Sequence, residues 1–151
     1  MKEISYRLRD AYATLLNPLT VESVVIPIFD ERVNPKSVIP TYKGGKAYIL
    51  ITDQNEVETT NNQCAFRKTA TIALDIVTKY PLNIGGKIAS ELISNAIQEI
   101  VLNGVGIQSI AIPEFQVLST RLEFSRSFIE NGDTETAYRK LLVFTHSIYE
   151  L

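Results

Sequence analysis

A Cys–His nucleophile pair in this chain could come only from its one histidine, His146, and its one cysteine, Cys64. A Cys–His pair works when the imidazole reaches the thiol and activates it. Nothing around either residue supplies that context. His146 occupies an alternating position in a strand-like run and is expected to be a partly exposed strand histidine. Cys64 is expected to be an inert small thiol. One Cys and one His also fall short of the usual Cys/His zinc ligand set. The carboxylates group as Asp30-Glu31, as Asp53 with Glu56 and Glu58, and as Asp133 with Glu135. All of these lie in expected turns, whereas a glycosidase-type pair must face across a cleft. Gly85-Gly86-Lys87 precedes a helical stretch, and its amides could meet an anion. Its spacing, however, matches neither the phosphate-loop nor the dinucleotide fingerprint, so a tight strand–helix turn is the favoured reading. The sequence therefore assigns no catalytic, cofactor-binding or metal-binding residue.

Contact chemistry is more visible than reaction chemistry. Arg32, Lys36, Lys43 and Lys46 surround a long loop that also holds Tyr42. Such a loop can touch a phosphate backbone or an acidic partner. Near the C-terminus, Phe124, Phe128, Tyr138, Phe144 and Tyr149 recur in two strand-like runs, where they could serve an interface as well as a core.

The elements that must position these residues follow from periodicity. Residues 2–16 read as a helix, with Ile4, Leu8, Tyr12 and Leu15 on one stripe and Asn17-Pro18 as its stop. Residues 23–29 read as a strand in which Pro27 implies an edge or a bulge. The loop 30–45 follows, then a strand at 46–53 and a polar turn at 54–62. Residues 63–79 alternate, with Ala70, Ile72, Leu74 and Ile76 opposing Thr69, Thr71, Asp75 and Lys79. A second helix spans 85–103, its stripe running through Ile88, Leu92, Ala96, Ile100 and Val101, widened by Ile93 and Ile97, with Gly104 and Gly106 past its end. In 114–129, Leu118, Leu122, Phe124 and Phe128 oppose Ser119, Arg121, Glu123 and Ser125. In 135–149, Tyr138, Leu142, Phe144 and Ile148 oppose Arg139, Thr145 and Ser147. The turn signal Asn131-Gly132-Asp133 joins these last two into a long antiparallel hairpin. The order α–β–β–β–α–β–β predicts an α+β domain with one mainly antiparallel sheet, two covering helices and a long C-terminal β-hairpin.

Bulk properties fit that reading. The chain has 151 residues, enough for one self-supporting core, so 1–151 is expected to be a single domain. Fifteen Lys and Arg against seventeen Asp and Glu leave a net charge of −2, without the basic excess of a dedicated nucleic-acid binder. One cysteine excludes an internal disulfide framework. No apolar stretch is long enough to span a bilayer, and MKEISYRLRDAYATLL lacks the apolar segment of a secretory signal. An intracellular or particle-bound protein is expected.

The arrangement resembles the small tail-completion and tail-terminator proteins of tailed bacteriophages, which sit in rings at the head–tail junction. The likeness spans nearly the whole chain. It is carried by the N-terminal helix ISYRLRDAYATLL, the strand VVIPIFDERV and the strand ending YILITDQ. It continues through FRKTATIALDIVTKYP, which runs into GGKIASELISNAIQEIV, and closes on the pair RLEFSRSF and YRKLLVFTHSIYEL. It is a likeness of order and length rather than of an invariant motif. The resemblance implies a non-catalytic structural virion protein that forms a homo-oligomeric ring, as a tail terminator, tail-completion protein or collar ring adaptor. It also implies portal, connector or tail proteins as partners, passing contact with double-stranded DNA and no membrane, with assembly in the host cytoplasm. A ring of identical subunits needs two different patches per subunit. The candidates are the 30–45 loop with Arg32, Lys36, Tyr42, Lys43 and Lys46, and the 115–149 hairpin with Phe124, Phe128, Tyr138 and Phe144. Two other readings stay open. One is a small enzyme or ligand-binding domain using Asp75, Lys79 and His146; the other is a DNA-contacting accessory protein using the loop cations.

Overall fold

A computed structural model describes residues 3–61, 66–102 and 110–151, apart from the side chains at 53, 58–61 and 66. Helix α1 (Ser5–Leu15) comes first, followed by three short strands, β1 (Leu19–Val21), β2 (Val24–Ile26) and β3 (Ile28–Asp30). Next are β4 (Thr41–Tyr42) and two long strands, β5 (Gly45–Asn61) and β6 (Phe66–Pro81). Helix α2 (Ile88–Val101) precedes the last pair, β7 (Phe115–Asn131) and β8 (Glu135–Glu150). The α+β class, the mainly antiparallel sheet and the long C-terminal hairpin are as the sequence predicts.

The main sheet runs β3-β5-β6-β8-β7, with β4 also on β5, while β1 and β2 form a separate two-stranded sheet. Among the described strands only the β3–β5 pair is parallel. Both helices pack on one face. Their buried residues, including Leu8, Tyr12, Ile93 and Ile97, join Ile49, Ile72, Leu74, Leu142, Phe144 and Ile148 in one core. The other face has only a small second cluster at one end, where Phe29, Val33 and Ile39 cover Tyr48, Leu50, Val77 and Ala137.

Several local expectations give way to tertiary pairing. Pro27 splits the expected 23–29 strand into β2 and β3, and β3 indeed lies at the sheet's edge. Residues 54–61 are not a turn. They continue β5 opposite β6, from Gln54↔Ile72 to Asn61↔Phe66, because long-range ladder pairing outweighs a polar composition. The hairpin is built into the sheet, since β8 pairs with β6 along its length, from Arg67↔Tyr149 to Pro81↔Glu135. On α2 the buried stripe is turned by one residue from the expected one. Ala89, Ile93 and Ile97 face the sheet with Ser90 and Ser94, whereas Ile88 is 61% exposed. Small residues let that side of the helix sit close to the strands. At the hairpin's turn end, Tyr138 packs edge-on against Tyr80. Gly85, at φ +115°, lies beneath both rings, where a Cβ would meet Tyr80 at 2.5 Å. This is the tight strand–helix turn expected of Gly85-Gly86. Cys64, Gly104 and Gly106 lie outside the described residues.

Candidate interaction surfaces

The chemistry-bearing residues are not brought together. His146 is not half-exposed; it is 0% exposed beneath α1. Its Nδ1 lies 2.9 Å from the Ala70 carbonyl, and its Nε2 lies 2.6 Å from the Tyr12 hydroxyl. A neutral ring with the proton on Nδ1 donates to the carbonyl and accepts from the phenol, so every polar atom is satisfied. Burial drives its pKa down to about 4, against a smaller opposing pull from the Ala70 carbonyl. Burial likewise pushes the Tyr12 phenol well above its usual value. The ring is a structural peg between helix and sheet.

Asp75 and Lys79 lie on the opposite face from His146, which removes the convergence that a site of these three would require. Asp75 is buried and bonds Arg139 Nη2 at 2.7 Å, while Arg139 Nη1 bonds Glu130 at 2.8 Å. The Arg139 guanidinium also stacks over Phe128. Burial raises the Asp75 pKa, with Arg139 pulling the other way. Lys79 is 3.6 Å from Glu135. Of the expected turn carboxylates, Asp53, Glu56 and Glu58 belong to β5, and Glu135 opens β8. Glu56 is held by Lys68 at 2.9 Å and Ser5 at 2.8 Å. Burial would raise its pKa, yet these partners hold it below the ordinary value. Among the described residues no three His, Cys, Asp or Glu side chains cluster as a metal site. A hollow of about 650 Å³ lies between the outer side of α1 and Ala111–Glu114. Of its three charged lining residues, Arg7, Asp10 and Glu114, Arg7 and Glu114 are bonded together.

The loop cations also disperse. Lys43 pairs with Glu22 at 3.0 Å and leans over the Tyr42 ring. Tyr42 is 2% exposed, so it belongs to the core and not to an interface. Lys46 reaches back to the Ile39 carbonyl. Arg32 and Lys36 remain exposed, beside Val38, which is almost fully exposed.

Among the aromatic candidates, Phe144 is a core residue at 0% exposure and is lost as an interface candidate. Tyr138 is half-buried on Tyr80 and serves the folded tip. Phe128 is half-buried under Arg139. Phe124 alone stands out, 49% exposed. The simple alternation expected for β7 fails because the strand carries two irregularities, at Val117/Ser119 and Leu122/Phe124. Each inserts a residue and exchanges the faces beyond it. Leu122 pairs with Phe144 on the helix side, whereas Phe124 pairs with Val143 on the uncovered side. Sequence alternation carries no mark of where such a bulge falls.

Two unlike edges flank the sheet. On one side, β7 runs seventeen residues with no described strand beyond it. On the other, β3 and β4 cover β5 only as far as Ile51. Among the described residues, no strand pairs with the outer side of β5 past that point. Among the described residues, no helix is long and apolar enough to cross a membrane. Searches against protein-family models and curated proteins return no match for this chain.

Proposed function

We propose that the chain is a non-catalytic structural protein of a tailed-phage virion, a ring subunit at the head–tail junction acting as tail terminator, tail-completion protein or collar adaptor. The resemblance, which spans nearly the whole chain, supports this reading, and one observation carries it: no described strand pairs beyond β7 at one end of the sheet or on the outer side of β5 past Ile51 at the other. In the sheet, β7 and β5 run in opposite directions, since β7 is antiparallel to β8, β8 to β6, and β6 to β5. The β7 edge of one copy therefore extends onto the distal β5 edge of the next as an antiparallel pair. That contact is heterologous, the kind that closes into a ring when the rotation between copies allows. Phe124 and Ile129, both exposed on β7, add apolar area to the contact.

The test is light scattering combined with negative-stain imaging, with connector and tail partners added where the chain alone does not assemble. Rings are expected for the native chain. Phe124→Asp with Ile129→Asp is expected to abolish them while leaving the circular dichroism spectrum intact. A chain that stays monomeric with those partners present refutes the reading.

A further inference from the structure

At the end of the sheet walled by residues 31–40, two cations stand in a placement that ring assembly does not require. Lys46 on β5 and Lys79 on β6 are direct partners in the ladder. Side chains so opposed have Cβ atoms about 4.5–5.5 Å apart, and like charges there destabilise a sheet. Their neighbours do little to offset this. Lys79 has Glu135 at 3.6 Å, with both side chains well exposed. Lys46 has no ionic partner among the described residues and reaches only the Ile39 carbonyl, at 3.4 Å. Two other carboxylates of that face, Asp75 and Glu130, are bound to Arg139.

Both lysines line a hollow of about 430 Å³, together with Val33, Val38, Ile39 and Tyr48. That size falls within the range of small-molecule sites. Among the described residues no carboxylate lines it. Tyr48 is buried, with Phe29 edge-on to it at 6.4 Å and Lys79 Nζ 5.8 Å over its ring. Val38 is 90% exposed. The loop is held by its own bonds. The Asn34 side chain accepts from the Lys36 amide at 3.0 Å, and the Asn34 carbonyl from the Ser37 amide at 2.9 Å. The Pro40 carbonyl accepts from the Ala47 amide at 3.2 Å. The hollow is therefore formed without a ligand.

We infer that this hollow binds a small amphiphilic carboxylate, its chain on the apolar lining and its head group between Lys46 and Lys79. The inference stands whether or not copies of the chain form a ring. The head group follows from the spacing. Two ammonium groups this close converge on one anion, and a carboxylate has an oxygen for each. The body follows from the lining, where three aliphatic side chains and an aromatic ring gain from covering by an apolar chain. A bare anion would leave that lining in water, and a neutral chain would leave the lysine repulsion in place. The cations sit together rather than along a track, which suits one head group and not an acidic polymer.

Proton–nitrogen correlation NMR of the full chain, titrated with octanoate, tests the inference. Saturable shifts are expected at the amides of Val38, Ile39, Lys46 and Tyr48, with a rise in the thermal midpoint. Lys46→Gln with Lys79→Gln is expected to weaken binding at least about tenfold, the loss of charge-assisted bonds. Hexanoate is expected to bind up to about 15-fold more weakly than octanoate, at about fourfold per buried methylene. Acetate and octylamine are expected to leave those amides unmoved. Without ligand, Lys46→Gln is expected not to lower the thermal midpoint. If it does, Lys79→Gln alone decides the binding test. No saturable shift at those amides, or octanoate binding unchanged by the lysine changes, overturns the inference. Octanol binding as tightly as octanoate also overturns it, because the head group then contributes nothing. A blocked acidic, leucine-rich peptide that outbinds octanoate assigns the hollow to a protein partner and rejects the small carboxylate.

Discussion

Phe144 and Phe124 sit on neighbouring strands of one sheet, Phe144 opposite Leu122 and Phe124 opposite Val143, yet on opposite faces. Phe144 is enclosed by α1 and the strands, 6.0 Å from the Tyr12 ring, whereas Phe124 lies half in solvent. The covered face is dry, and its one imidazole is bonded at both nitrogens. The uncovered face keeps the ion pair of buried Asp75 with Arg139, exposed arginines and an apolar hollow of about 220 Å³ between Phe124, Leu141 and Val143. Helix coverage separates the side chains that hold the fold from those available for contact, and the two sets interleave residue by residue along the same strands.

This contrast can be broken most directly at Phe144. Phe144→Ala is expected to cost about 3–5 kcal/mol, the range for a fully buried ring, measurable as a drop in the denaturant midpoint. A cost under about 1 kcal/mol would mean that the helices do not seal that face.

The next largest effect is pH-dependent. The folded-state pKa of His146 lies near 4, below its unfolded value of 6.5. The unfolded chain therefore binds more protons between those values. The stability tied to the neutral ring is complete above about pH 6.5 and is lost as pH falls toward 4, up to about 3 kcal/mol in total. The difference between native and His146→Gln proteins in that window measures it. Parallel pH profiles for the two would place the ring in contact with water.

On the uncovered face, Asp75→Ala leaves Arg139 with Glu130 alone. A cost of about 2 kcal/mol is expected, short of the full penalty for a buried unpaired charge because Arg139 remains partly solvated. The Asp75→Ala and Glu130→Ala pair, in a double-mutant cycle, separates the two bonds. Phe124→Ala closes the series, with less than about 1 kcal/mol expected in the monomer. A larger cost would show that the uncovered face contributes to the core.

How much of this could be read beforehand depended on whether the signal was local. The stripe Ile4, Leu8, Tyr12 is buried as its spacing requires, and β6 and β8 alternate as expected. The α2 stripe was legible only to within one residue, because its buried side includes Ala89, Ser90 and Ser94, which hydropathy does not mark. His146 looked exposed because its partners are remote, Tyr12 at 134 positions away and Ala70 at 76. The faces of β7 were misread from Phe124 onward, since the bulges that exchange them arise from pairing with β8.

From its residues alone, the chain determined its class, its two helices, its long antiparallel strands and the apolar side of each regular element, because these depend on periodicity within a few neighbours. Tertiary pairing decided which strands come last in the sheet, where β7 slips its register, that polar residues 54–61 extend a strand, and that three arginines, Arg67, Arg121 and Arg126, share one face. Those outcomes depend on ladder bonds and packing between segments distant in sequence, and no local pattern records them.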